Sequence, residues 1–247
     1  MGSEFLTSPF DNLLKPVDDH LIVHNELMSS LILGNKIQIH SSEHGIPDLD
    51  TTKIVIIGIP ENRNSIDYLG DELNLNEIRK SLYNLYPGNW STEIADLGNL
   101  ILGENVKQTY GRIISMLSIL FEKNIIPIII GGSHDLLYAN YRAYDSFKST
   151  VNIVNIDSNF DIGDSAKPIN NLSYLGKIIL DEPHNLFNYS NLGYQTYHNS
   201  QEEIDLMENL YFESYRLGEV SSNLRLSEPV MRDADLVSVD LKSVRAS

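Results

Sequence analysis

The sequence predicts an α/β protein, with a mainly parallel, doubly wound sheet covered by helices on both faces in one three-layer α/β/α domain. Three observations carry this. First, four apolar runs, KIVIIGIP (53–60), IIPIIIGG (125–132), VNIVNID (151–157) and DLVSVDL (235–241), are near-continuous rather than alternating. That is the pattern of strands buried on both faces. Second, stretches of helical periodicity separate these runs, which is the order of a parallel sheet with crossover helices. Third, the linkers are short, with no repeat or low-complexity segment. A chain of 247 residues that is 42% apolar can bury one large core, so a single domain over 1–247 is expected.

The elements follow in order. GSEF within residues 1–5 reads as a vector remnant. The first fifty residues are irregular or helical, with a short helix expected at 22–34. Pro60 closes the first buried strand, and helical spacing follows at 73–86. A stronger helix at 106–124 places Ile113, Leu117, Leu120 and Phe121 on one face. Next come the strand at 125–132, a helix at 135–144 and the strand at 151–157. A strand near 187–197 has Tyr189, Tyr194 and Tyr197 as packing aromatics. Helices are expected at 201–210 and near 227–234, then the strand at 235–241. ENLYFES (208–214) resembles a protease tag site but continues an amphipathic pattern, so it reads as native sequence. The chain stops at SVRAS directly after a strand. A doubly wound sheet normally continues, so the sequence reads as a piece of a longer protein whose C-terminal portion is missing.

Composition excludes several functions. There is no cysteine, hence no disulfide, zinc–thiolate site or thiol nucleophile, which suits a reducing, cytoplasmic location. A net charge of −16 repels nucleic acid and anionic membranes. No apolar stretch approaches the roughly 18 residues of a membrane span, and the start lacks the features of a secretory signal. His20 and His24 lie one helical turn apart but no third ligand follows, and the aromatic spacing of YFESYRLG (211–218) reads as packing. GIPENRN and GGSHD lack the pattern and lysine of a phosphate loop, and GGSHD is not a G-x-S-x-G nucleophile elbow.

Three strands end in residues able to bind metal: Gly131-Gly132-Ser133-His134-Asp135, then Asp157-x-x-x-Asp161, then Ser238-Val239-Asp240. Ligands of open parallel sheets sit beyond the carboxyl ends of the strands, and the glycines let the backbone turn sharply there. A single acid in such a place reads as a helix cap or a solvated loop residue. One histidine and three aspartates converging at a sheet edge point instead to a cation. Imidazole with carboxylates suits manganese, iron or zinc, and the lack of sulfur favours manganese.

In this order, GGSHD, DSNFD and SVDLK resemble the motifs of the ureohydrolases, the family of arginase, agmatinase and formiminoglutamase. Their pattern is a glycine pair with a histidine, then D-x-H-x-D, then S-x-D-x-D. The resemblance runs from about residue 53 to the end and is nearest to the formiminoglutamase-like branch. It implies an arginase-like fold, a small-molecule substrate and assembly as homo-oligomers. It also implies two manganese ions whose bridging hydroxide attacks a guanidinium or formimino carbon and breaks a C–N bond.

Carried over, His134 binds the first ion, Asp157 and Asp240 bridge, and Asp161 completes the first site. His134, Asp161 and Asp240 are the implied catalytic residues. Asn159 stands where the family has histidine, and Lys242 where it has a second aspartate. Both positions belong to the second ion, so one manganese per chain is expected, or none in a silent protein. Charge balance places the Lys242 ammonium in the space of the missing ion, neutralising the bridging carboxylates. The implied substrate loop runs through Asp164 to Leu175 and Gly176, with Leu175 where arginase carries a proton-shuttling histidine. Two readings stay open. One is an impaired one-metal hydrolase acting on a formiminoglutamate-, agmatine- or arginine-like substrate. The other is a catalytically silent arginase-fold protein acting in binding or assembly.

Overall fold

The computed structural model describes residues 9–10, 12–67, 73–147, 149–164 and 166–244. The vector-like residues 1–5 and the chain end beyond Val244 lie outside them. Contacts group the chain into two compact units, residues 1–63 with 68–132, and residues 64–67 with 133–247.

The first unit runs β1 (Leu14–Lys15), α1 (Asp19–Leu27), β2 (Gln38–Ile39), β3 (Ile54–Gly58), α2 (Asn76–Tyr83), β4 (Ile94–Leu100), α3 (Val106–Glu122) and β5 (Ile126–Ile130). Its sheet has the order β1-β4-β3-β5, with β2 also pairing β4, and every pair but β1–β4 is parallel. The helix α3 is capped by Asn105 and buries Ile113, Met116, Leu117 and Leu120, as its periodicity predicts. Residues 94–100 form a core strand that sequence pattern does not predict, because Asp96 and Asn99 interrupt the apolar run. The structure shows why the acid is tolerated. Asp96 accepts Arg79 Nε at 2.9 Å and Nη2 at 3.1 Å, the Tyr83 hydroxyl at 2.7 Å and the Gly98 N–H at 2.8 Å. A buried charge paired and hydrogen-bonded on this scale avoids the penalty of an isolated one.

The second unit runs α4 (Leu136–Arg142), β6 (Val151–Ile156), α5 (Tyr174–Leu180), β7 (Leu186–Tyr194), α6 (Gln201–Asn209), β8 (Glu213–Arg216), α7 (Leu217–Ser222), α8 (Ser227–Arg232) and β9 (Leu236–Val239). Its sheet, in the order β8-β7-β6-β9, is parallel throughout. Val151 and Ile153 of β6 pack with Leu137, Phe160, Tyr189 and Met207 in the core. Of the three expected packing tyrosines, Tyr189 is fully buried, Tyr194 is half-buried and Tyr197 is exposed. Ser200 and Glu203 close a reciprocal capping box at the start of α6. Both units are α/β with mainly parallel sheets, the class the sequence predicts.

Candidate metal centre

The centre is assembled by strand register. Ile156, the last residue of β6, is paired with Val239, the last of β9. The next residues, Asp157 and Asp240, therefore leave neighbouring strands at the same level. Each then folds back on its own loop. Asp157 Oδ1 accepts the Asn159 N–H at 3.0 Å, and Asp240 Oδ1 accepts the Lys242 N–H at 2.8 Å. These Asx turns fix both carboxylates while leaving each Oδ2 free to point inward. His134 lies just before α4, in a turn closed by the Leu137 N–H on its carbonyl at 3.1 Å. Asp161 reaches the same point from a left-handed conformation, φ +56°, which few residues other than glycine adopt. Its carbonyl is held by the Leu175 N–H at 3.1 Å.

The four predicted ligands converge on one point. His134 Nδ1 lies 3.2 Å from Asp157 Oδ2, 3.5 Å from Asp161 Oδ2 and 3.5 Å from Asp240 Oδ2. Ligand atoms of His134, Asp157 and Asp240 all fall within 4.8 Å of one another. On the far side of the ring, His134 Nε2 meets the Ser238 hydroxyl at 2.7 Å. That contact turns Nδ1 toward the acids, as a metal-binding imidazole requires. His134 Nδ1, Asp157 Oδ2 and Asp161 Oδ2 are buried and make no well-formed hydrogen bond among the described residues. Buried polar atoms are almost always satisfied, so three unsatisfied ones facing one point fit a divalent cation, and the nitrogen–oxygen donor set suits manganese.

Electrostatics agree. Burial pushes the Asp161 carboxyl up to about 7, and the Asp157 charge adds to this while His134 opposes it. Burial disfavours the His134 imidazolium, yet Asp157, Asp161 and Asp240 together hold it well above the usual histidine range. Asp240 is raised by burial, but His134 and the Lys242 N–H bring it below the usual carboxylate range.

The second-ion positions behave differently. The Asn159 side chain accepts the Ser158 hydroxyl at 2.8 Å and faces the His198 carbonyl at 3.4 Å. The Lys242 ammonium does not sit between the bridging carboxylates, as charge balance predicts. It bonds Asp67, whose carboxylate also accepts Asn171 Nδ2 at 2.7 Å. Burial disfavours the Lys242 ammonium, yet the exposed Asp67, with the charges of Asp240 and Asp161, holds it above the usual lysine value. Lys242 and Asp67 line a cavity of about 320 Å³ with Asp157, Asp161, Asp240 and Asn159. Leu172 and His198 complete its wall. Asp67 lies in a loop with no motif, and His198 has no ligand spacing, so nothing in the sequence marks either.

The implied substrate loop stands apart from the cavity lining. Asp164 is exposed and pairs with Lys167 at 3.5 Å. Leu175 is fully buried in α5 within the core. A Cβ on Gly176 would fall 2.2 Å from the Ile162 carbonyl oxygen, so this glycine lets α5 approach the ligand-bearing loop closely.

The formimidoylglutamase of Halalkalibacterium halodurans is 26% identical over 117 residues, 43% of this chain and 37% of that enzyme. The chain thus aligns with well under half of that curated relative. A crystal structure of Trypanosoma cruzi formiminoglutamase with Mn2+ superposes with a TM-score of 0.72 at 17% identity, covering 87% of this chain and 76% of that one. The agmatine ureohydrolase of Thermoplasma volcanium gives 0.66 at 20% identity, covering 89% and 74%. These likenesses show the fold. The Arginase family model matches residues 52–240, a span that contains His134, Asp157, Asp161 and Asp240, and the chain belongs to the arginase family.

Proposed function

We propose that this protein is a metal-dependent hydrolase of a linear amidine or guanidino C–N bond, working with a single ion held by His134, Asp157, Asp161 and Asp240. The observation that carries the reading is the set of three buried ligand atoms that face one point without a well-formed hydrogen bond, with His134 Nδ1 within 3.5 Å of all three carboxylates. When bound, a divalent cation there supplies Lewis-acid activation of water for attack on an amidine carbon. The chain's residues do the rest. Ser238 holds the His134 ring so that Nδ1 faces the ion. The Asx turns of Asp157 and Asp240 hold one oxygen of each carboxylate on the loop and the other on the site. The cavity, with four aspartates and one lysine in its wall, favours a cationic or neutral head group over an anionic one.

A second reading, a silent relative acting in binding or assembly, draws on the occupied second-ion positions. Asn159 and Lys242 are both engaged in other contacts. Loss of one ion costs several kcal/mol of transition-state stabilisation, on the order of a thousandfold in rate. Turnover separates the readings. The protein is supplied with Mn2+ and assayed on formiminoglutamate, agmatine and arginine, with Asp161→Ala as the control. Slow hydrolysis of one substrate that vanishes in Asp161→Ala is expected. Bound manganese without turnover on any of the three supports the silent reading.

A further inference from the structure

The loop from Asp157 to Asp161 carries two of the four converging carboxylates. Fixing a loop costs backbone entropy, and its buried N–H and C=O groups need partners. Here the partners come from residues 191–199, which the reading above gives no task. Asn199 Oδ1 accepts the Phe160 N–H at 2.8 Å. Asn199 Nδ2 donates to the Ser158 carbonyl at 3.0 Å and to the Gln195 carbonyl at 2.8 Å. The Gln195 N–H adds a second bond to the Ser158 carbonyl at 3.0 Å, and Asn191 Nδ2 donates to the Asn159 carbonyl at 3.0 Å. Asn191 and Asn199 are both buried, where an amide is costly unless it is bonded.

These bonds fall where the placement of the carboxylates is decided. Ser158 follows Asp157 directly and Phe160 precedes Asp161 directly, so one amide grips the chain just inside each acid. Asp161 has its backbone in the left-handed region, a conformation that persists only where its surroundings impose it. Asn199 is itself anchored on both sides. The residue after it, Ser200, closes the capping box of α6, and the N–H of the residue before it, His198, bonds the Gln195 carbonyl at 2.9 Å.

We propose that Asn199, with Asn191 beside it, is a positioning residue for the metal centre: the two amides grip the chain at Ser158, Asn159 and Phe160 and so hold Asp157 and Asp161 at the spacing one divalent ion needs. The inference rests on the metal-binding reading above. Asn171 provides a matched control. Its buried amide also joins two loops, accepting the Ile66 N–H at 2.9 Å and donating to Asp67 at 2.7 Å. Neither of those bonds falls on the loop from Asp157 to Asp161.

The test compares Asn199→Ala with Asn171→Ala. It reads Mn2+ affinity by titration, the electron paramagnetic resonance spectrum of the bound ion, and the thermal midpoint in EDTA. Both variants lose a buried amide that joins two loops, so lower midpoints are expected in both. Asn199→Ala is expected to weaken Mn2+ binding about 10-fold or more, the scale on which the supports of a metal ligand act, and to alter the spectrum of the ion that still binds. Asn171→Ala is expected to stay within about threefold of wild type, with the wild-type spectrum, by the same reasoning. Where Asn199→Ala does not fold, Asn191→Ala, which removes the bond on the Asn159 carbonyl, takes its place with a shift in the same direction. Wild-type affinity and spectrum in the variant so read, or equal weakening in Asn171→Ala, overturn the proposal and leave the metal reading intact. No Mn2+ binding by the wild type overturns both.

Discussion

Asp157 and Asp240 solve the same problem in the same way. Each carboxylate accepts the backbone N–H two residues on and turns its second oxygen inward, so the loop sequence sets where that oxygen points. Glu61 shows the same economy in the first unit. It is buried, and burial alone pushes its carboxyl up. The Arg63 guanidinium and backbone N–H, the Thr109 hydroxyl and the Arg63 charge together hold it below the ordinary value. Arg63 Nε and Thr109 Oγ1 each bond it at 2.9 Å. A carboxyl whose folded pKa is depressed stabilises the fold above its unfolded pKa. That contribution is lost as pH falls through the folded value. Glu61→Gln is therefore expected to lower stability by about 1–3 kcal/mol near neutral pH. The gap from wild type, measured by denaturant unfolding across pH, should close below about pH 4. A gap independent of pH would show that Glu61 acts through packing alone.

At the scale of elements, the candidate centre depends on how closely α5 packs on the loop that carries Asp161. Gly176 has no room for a side chain, since a Cβ would lie 2.2 Å from the Ile162 carbonyl oxygen. Gly176→Ala must displace backbone next to Asp161, at an expected cost of about 1–3 kcal/mol. Thermal unfolding reads that loss, and Mn2+ titration should show weaker binding in the same variant. An unchanged midpoint would mean that the helix yields freely.

The same elements show what sequence carries and what it does not. The strands at 54–58, 126–130, 151–156 and 236–239 were legible because continuous apolar runs between helical segments have few other solutions. The convergence of His134, Asp157, Asp161 and Asp240 was legible because each follows directly on one of those strands or on its exit turn. The strand at 94–100 was not legible, since its Asp96 depends on Arg79 and Tyr83 from another element. Leu175 and Gly176 align with a substrate loop, yet they belong to a packed helix. Asp67 was invisible because its role appears only when a loop distant in sequence reaches Lys242.

For the whole molecule, a net charge of −16 favours cationic ligands over nucleic acid. No helix among the described residues is long and apolar enough to cross a membrane. Strand β5 departs from the fully covered strand its sequence predicts. It ends its sheet order, with Ile126 64% and Ile128 47% exposed, and Pro127 within it is compatible with such an edge. The central claim concerns how many cations the chain holds. Electron paramagnetic resonance during Mn2+ titration tests it most directly, because an isolated ion and a coupled pair give distinct spectra. The account predicts one tightly bound, magnetically isolated Mn2+ per wild-type chain, and a second, coupled ion in the Asn159→His, Lys242→Asp double variant. A coupled pair in the wild type, or no tight Mn2+ at all, would contradict it.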